Sequence, residues 1–194
     1  PEMCGNGIRA VAAQFARRKG ELWSGSVSTQ SGVRQCEVLS LGPSGEDMVT
    51  VNMGVAAITA LPAGLSVPFP GVHVDVGNPH YVAFVPACDD VVLEEIGPPI
   101  ENAAVFPDRI NVQIASERGD ATLRLRTWER GSGVTKACGT GACAVAAAYL
   151  SQQVSRQDTV RLELDGGCLD ITRRGNEFWM TGPARCVYSG VVPD

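Results

Sequence analysis

One local pattern occurs twice in this chain. MCGNGIRAVAAQF at 3–15 and ACGTGACAVAAAYL at 137–150 share Cys, Gly, Gly, Ala, Val, Ala and Ala in register, and Phe15 falls on Tyr149. In each copy a Cys-Gly-polar-Gly turn opens a stretch with helical spacing. The apolar positions are Ile8, Val11, Ala12 and Phe15 in the first, and Ala142, Val145, Ala146, Tyr149 and Leu150 in the second. Two like turns that each open a like helix need two like surroundings. The repeat therefore predicts two similar lobes, each with one helix at its centre.

Most of the remaining chain alternates like strand. VTVNM at 49–53, VHVDV at 72–76, YVAFV at 81–85, LRLRTW at 123–128, VRLEL at 160–164 and CLDIT at 168–172 all read this way. VSTQSGVRQCEVL predicts a hairpin turning at Ser31-Gly32, and DDVVLEEIG at 89–97 predicts a short helix closed by Gly97 and Pro98. The proline-rich ALPAGLSVPFPG at 60–71 is expected to cross between the two halves. The fold class is α+β, with antiparallel sheet dominating.

Charge and cysteine usage narrow the function. A net charge of -5 without a Lys/Arg cluster argues against a nucleic-acid partner. The basic ARRKG at 16–20 closes a helix, where cations suit the dipole. No apolar run reaches spanning length and the first residues do not read as a signal peptide, so no membrane partner is expected. Seven cysteines, an odd number at irregular spacing, fit a reducing cytoplasm better than a disulfide framework.

A cysteine at a helix start sits at the positive end of the dipole, so its thiol pKa is expected to fall toward neutrality. The flanking glycines let backbone N–H groups approach an anion closely. Two such units suggest a sulfur on each side of one substrate. Removing a proton from one face of a carbon and returning one to the other face needs two acid/base groups, one thiolate and one thiol. N–H groups at the helix ends would stabilise charge on an adjacent carboxylate, each worth about 3–4 kcal/mol in the transition state. This is the logic of a racemase or epimerase without a cofactor.

Rival readings are weaker. Cys36, Cys88, Cys143, Cys168 and Cys186 read as small core residues. Both turns match G-x-G-x-x-A, but RGSGVTKAC before the second is not the apolar strand that a dinucleotide site needs. The two histidines and the cysteines show no C-x-x-C pairing for zinc. GPSGED at 42–47 lacks the Lys-Ser/Thr of a phosphate loop. Taken singly, Asn78 before Pro79 is a turn former, Glu129-Arg130 a solvated pair and His80 a core histidine. Beside two cysteine turns each takes on a functional reading, whereas His73 stays structural.

At MCGNGIR, GNPH, FPDRINVQ and WERGSGVTKACGTGACA the chain resembles the diaminopimelate epimerase family, in order from Met3 to the C-terminus. The proline racemase family shares the paired cysteines but typically has His where Asn6 stands and lacks the Glu-Arg-Gly stretch. Phenazine-type isomerases share the fold and lack the cysteine pair. The resemblance implies two pseudo-symmetric lobes, each a curled, mostly antiparallel sheet around a central helix. The first would hold 1–58 and be completed by 183–194, and the second would hold 59–182. It implies interconversion of LL- and meso-diaminopimelate with Cys4 and Cys138 as the two bases, and with no metal, PLP or nucleotide. Gly5, Asn6, Gly139 and Thr140 would bind the reacting end of the substrate. Asn78 and Asn111 would contact it, His80 would partner the first cysteine, and Glu129 would be the acid near the second and also meet substrate. Arg130 would help bind the distal carboxylate. The partner would be this small molecule, and the resemblance allows a homodimer.

Two departures stand out. Ala10 replaces a cysteine that many members carry. Members also usually have roughly one more half-lobe before the first cysteine, so the sequence reads as lacking an N-terminal portion. On that reading Ile8, Val11 and Phe15 face solvent on at least one side. A racemase of another amino acid, and a non-catalytic binding protein of the same fold, remain the alternatives.

Overall fold

The computed structural model describes residues 4–43, 45–152, 157–188 and 190. In chain order the elements are α1 (Gly5–Lys19), β1 (Ser24–Thr29), β2 (Gly32–Leu41), β3 (Glu46–Val55), β4 (Ala57–Ala60), β5 (Gly71–Asp75) and β6 (Pro79–Phe84). A short 3-10 turn at Cys88–Asp90 leads to α2 (Leu93–Glu101), β7 (Asn111–Gly119), β8 (Thr122–Glu129) and β9 (Gly133–Thr135). Then come α3 (Gly139–Gln152), β10 (Thr159–Leu164), β11 (Gly167–Arg174) and β12 (Glu177–Arg185). The fold is α+β, as the alternation predicts, and every strand read from the sequence coincides with an observed one, with Val76 and Val85 one residue beyond the ends of β5 and β6.

The strands form one mixed sheet in the order β1-β2-β3-β12-β11-β10-β8-β7-β6-β5-β4, with β9 beside β8. β6–β7 and β8–β10 are parallel, and the other pairs are antiparallel. β3 and β4 are separated in sequence by Ala56 alone, yet seven strands along the sheet path lie between their places. The run from β3 to β4 therefore curls back on itself. It encloses α3, which packs on β5, β6, β7, β10, β11 and β12. α3 is built for that place: Thr140 through Ala148 are all buried. A helix that is apolar all round has no solvent face to offer.

α1 is placed differently. It lies against β2, β3 and β12 and touches α3. Ile8, Ala12, Ala13 and Ala16 are buried, while Val11 and Phe15 are 56% and 41% exposed. Ile8 is thus a correction to the expectation for this helix. It belongs to the same core as Met53 and Met180, because it shares a face with Ala12 rather than with Val11. Gly20 (φ 74) closes α1 by donating to Ala16 O and Arg17 O, with Arg17, Arg18 and Lys19 in the last turn.

Three other expectations are corrected. The proline-rich stretch does not cross between halves, because β4 and β5 on either side of it pair with each other. The chain leaves β3 for the far end of the sheet path at Ala56. α2 starts at Leu93 and runs through Pro98 and Pro99. The two prolines lose two N–H donors, but only one further turn follows, and it buries Ile100 and Glu101. Cys186 is exposed and Cys168 half-buried, while Cys36, Cys88 and Cys143 are core. β12 ends beside Glu46 of β3, so Pro183–Arg185 return to the strands under α1. Of the remainder of 183–194, residues 189 and 191–194 lie outside the described residues, as does Met3.

A second cluster, with Tyr81, Leu93, Ile100, Ile110, Val112 and Ile114, fills the space between α2 and the outer face of the sheet. β7 is therefore covered on both sides. Val112 and Ile114 face the α2 side, and Ala115 belongs to the core around α3. By the two-residue period of a strand, Asn111 and Gln113 share the α3 side with Ala115.

Candidate active site

The two helix starts open onto one cavity of about 320 Å³, lined by Cys4, Gly5, Asn6, Asn78, Asn111, Glu129, Arg130, Ala137, Cys138, Gly139 and Thr140. Both cysteine turns, far apart in sequence, thus supply walls of the same space. The size suits a small ligand. Of the residues singled out from the sequence, His80 is the one that does not line it. It is fully buried.

The turns meet because both rest on the same side chain. A Cβ on Gly5 would lie 2.5 Å from Met180 Cε, and one on Gly139 would lie 3.0 Å from Met180 Sδ. Met53 lies beside both. Only glycine lets two backbones come this near one thioether. The Arg9 guanidinium is buried under the same methionine, with Nη1 3.5 Å from its sulfur, and donates from Nε to Pro183 O.

The two cysteines are held unequally. Cys4 adopts an extended conformation at the start of α1, makes no capping bond through its side chain and is exposed. Cys138 is 7% exposed, and its sulfur accepts the Gly141 N–H at 3.3 Å, with Thr140 Oγ1 at 3.5 Å. The expected fall in thiol pKa is overturned at Cys138. Burial first, then the charge of Glu129, push it up to about 11, and the donors from Thr140 and Gly141 only partly offset them. Without a bound ligand Cys138 is a thiol at neutral pH.

The rest of the wall is fixed by a polar frame. Asn111 accepts the Arg130 N–H at 3.0 Å and donates to Pro79 O at 3.0 Å, so one carboxamide ties both flanking segments. Glu129 accepts from Thr135 Oγ1 at 2.5 Å, and the Arg130 guanidinium donates to Asp108 O at 2.5 Å. Glu101, which the sequence did not mark, clamps this turn from behind. It accepts from Trp128 Nε1, Gly131 N and Arg109 Nη1 at 2.7, 2.9 and 3.0 Å. Burial raises its carboxyl pKa, but these donors outweigh burial and hold it below the usual range.

His80 lies beneath Asn78. Its Nε2 is 3.0 Å from Asn78 Oδ1 and its Nδ1 3.2 Å from Gln113 Nε2. Burial first, then His73 and Arg130, lower its pKa to about 3, so the ring is neutral. Gln113, also unmarked in the sequence, is fully buried. Its signal was present as a polar residue two positions from Asn111, on the same strand face. His73 pairs with Thr59 and stacks on Phe106, away from the cavity.

The sequence profile of the family described as diaminopimelate epimerase matches residues 72–187. Among curated proteins, the diaminopimelate epimerase of Microcystis aeruginosa is 37% identical over 211 residues, covering 100% of this chain and 74% of that protein. The one from Bacteroides thetaiotaomicron is 42% identical over 198 residues, covering 97% and 71%. Two solved structures share the fold at low identity. A hydroxyproline epimerase from Agrobacterium vitis gives a TM-score of 0.67 at 14% identity, covering 95% of this chain and 66% of that one. A phenazine biosynthesis protein of the PhzF family from Bacillus anthracis gives 0.66 at 18%, covering 94% and 73%. With the curated relatives matched over nearly all of its length, the chain belongs to the diaminopimelate epimerase family.

Proposed function

We propose that the chain interconverts LL- and meso-diaminopimelate by proton transfer between two cysteines and one α-carbon, without a cofactor. The observation that carries this reading is the single cavity into which both cysteine turns and the polar residues around them converge. One sulfur, as thiolate, takes the α-proton and becomes a thiol. The opposite sulfur, as thiol, gives its proton to the other face and becomes a thiolate. The carbon is inverted, no proton is gained or lost overall, and the cysteines exchange states. Cys138 rests as the thiol, so in this state it is poised to give a proton rather than to take one.

Gly5, Asn6, Gly139 and Thr140 hold the reacting carboxylate at the two helix starts, where backbone N–H groups stabilise the charge that builds as the proton leaves. Asn78, Asn111, Glu129 and Arg130 hold the remainder, with the arginine set toward the distal carboxylate and Glu129 close to Cys138. We read the chain as two lobes meeting at this cavity, 1–58 with 183–194 and 59–182. No helix among the described residues is long and apolar enough to cross a membrane. We place the reaction in the cytoplasm on the odd number and irregular spacing of the cysteines. The homodimer that the family resemblance allows is settled by sedimentation.

The test is incubation of the chain with LL-diaminopimelate in deuterated water. The expected result is deuterium at one α-carbon together with meso product. Binding without exchange would make the protein a binder. Comparable turnover of proline would make it a racemase of another substrate, because a site built to pair a second charged end loses several orders of magnitude when that end is missing.

A further inference from the structure

Beneath the cavity runs a line of buried polar groups whose donors and acceptors all point one way. It begins on β8, where Thr127 is paired in register with Gln113 of β7. Thr127 Oγ1 donates to Gln113 Oε1 at 2.7 Å, so the carboxamide turns its oxygen to β8 and its nitrogen to His80. The other end, Nε2, is a donor only, so His80 Nδ1 at 3.2 Å must accept. The ring is neutral, so its one proton is on Nε2, which donates to Asn78 Oδ1 at 3.0 Å. That leaves Asn78 Nδ2 facing Thr140 Oγ1 at 3.3 Å as a donor. The threonine oxygen accepts, and its own proton is free for Cys138 Sγ at 3.5 Å.

We propose that Gln113 is a positioning residue of this site. It selects the Nε2–H tautomer of His80 and, through Asn78 and Thr140, directs a hydroxyl proton at the sulfur of Cys138. Its catalytic meaning rests on the function proposed above. When Cys138 gives up its proton, the new thiolate meets two aimed donors, the Gly141 N–H and the Thr140 hydroxyl, instead of one. Reversed polarity would turn the threonine proton toward Asn78 and leave the sulfur with the backbone donor.

The packing shows that residue 113 was given this room. A Cβ on Gly141 would lie 2.6 Å from the Gln113 Cδ, Nε2 and Oε1 atoms. The second glycine of the Cys138 turn is thus what lets the carboxamide lie under the first turn of α3. Gln113 is fully buried, so nothing but its neighbours sets its orientation.

The test reads the tautomer directly. The chain has two histidines, and His73→Gln assigns the pair in nitrogen-15 spectra of histidine-labelled protein. In the unmodified chain His80 is expected to carry its proton on Nε2 alone. Gln113→Glu keeps an acceptor for Thr127 but offers His80 a second acceptor, so a proton is expected on Nδ1. Gln113→Met fills the same volume without hydrogen bonds. It is expected to lower kcat for diaminopimelate roughly ten- to a hundred-fold, the scale of a small misplacement of reacting groups. A proton on Nδ1 in the unmodified chain would overturn the proposal, as would an unchanged tautomer in Gln113→Glu or full turnover in folded Gln113→Met. If the unmodified chain does not epimerise diaminopimelate, the proposed function fails, while the two spectra still decide whether Gln113 controls His80.

Discussion

The two cysteine turns are nearly the same in sequence and unlike in structure. At Cys138 the sulfur caps its helix, is buried and is held by neighbours from its own turn. At Cys4 the sulfur caps nothing and is exposed. The same contrast runs along the helices, since α3 packs on β5, β6, β7, β10, β11 and β12 and is buried nearly all round, while α1 lies on β2, β3 and β12 and leaves Val11 and Phe15 exposed. A repeated motif thus fixes where two groups stand without fixing their chemistry. The chemistry is set by what surrounds each copy, and here the surroundings make one copy a standing acid.

Removing either sulfur is the severest way to break the comparison. Cys4→Ala and Cys138→Ala should each cut epimerisation by at least about a thousand-fold, the upper range for a positioned acid or base. Cys36→Ala, in the core away from the cavity, should leave it intact. Elimination of halide from a β-halo analogue needs only one base, so each variant should retain it for one enantiomer and lose it for the other. Equal activity of both variants on both enantiomers would make the two turns interchangeable.

Alkylation sharpens the contrast at rest. With its pKa near 11, Cys138 is thiolate in roughly one molecule in a thousand at pH 8. Iodoacetamide followed by peptide mass spectrometry should label Cys4 at least about a hundred-fold faster. Because the pKa is raised, labelling of Cys138 should climb with pH, about tenfold per unit, until near that value. Equal rates at pH 8 would show that burial does not dominate its titration.

The second glycine of each turn gives the smallest effect. A Cβ at Gly141 meets the buried Gln113 carboxamide at 2.6 Å, whereas one at Gly7 meets only the Cys4 side chain, with Sγ at 3.3 Å and Cβ at 3.8 Å. Gly141→Ala should cost about 1–3 kcal/mol, or several degrees in Tm. Gly7→Ala should stay within about 1 kcal/mol, since the gain in helix propensity offsets the tighter contact. Thermal unfolding of the two variants checks this, and equal losses would mean that the turns are packed alike.

Much of the site was legible in the sequence because its residues sit in local patterns. The repeat marks Cys4, Gly5, Asn6, Cys138, Gly139 and Thr140 directly. Asn78 and His80 flank a proline, and Glu129-Arg130 end an alternating strand. What was not legible depends on contacts between distant strands. Nothing local says that Thr127 stands opposite Gln113, or that Glu101 reaches the turn after Trp128. The rise in the Cys138 pKa needed the depth of burial, which dipole reasoning on one helix leaves out. The departure from β3 at Ala56 was hidden because one residue between two strands reads as a single strand, while the proline-rich stretch drew the eye as a linker.

Met180 belongs to neither copy of the repeat, yet both copies lean on it. The distance between the two turns is therefore not a property of either one. It is gauged by a thioether with three rotatable bonds, which tolerates small shifts where a ring or a branched chain would jam. Positions turned away from that contact are free to differ between copies, as Asn6 and Thr140 do. Positions 5 and 139 are not, because widening either would push the shared spacer into the other. A site written twice in the chain is, mechanically, two turns set against one shared spacer.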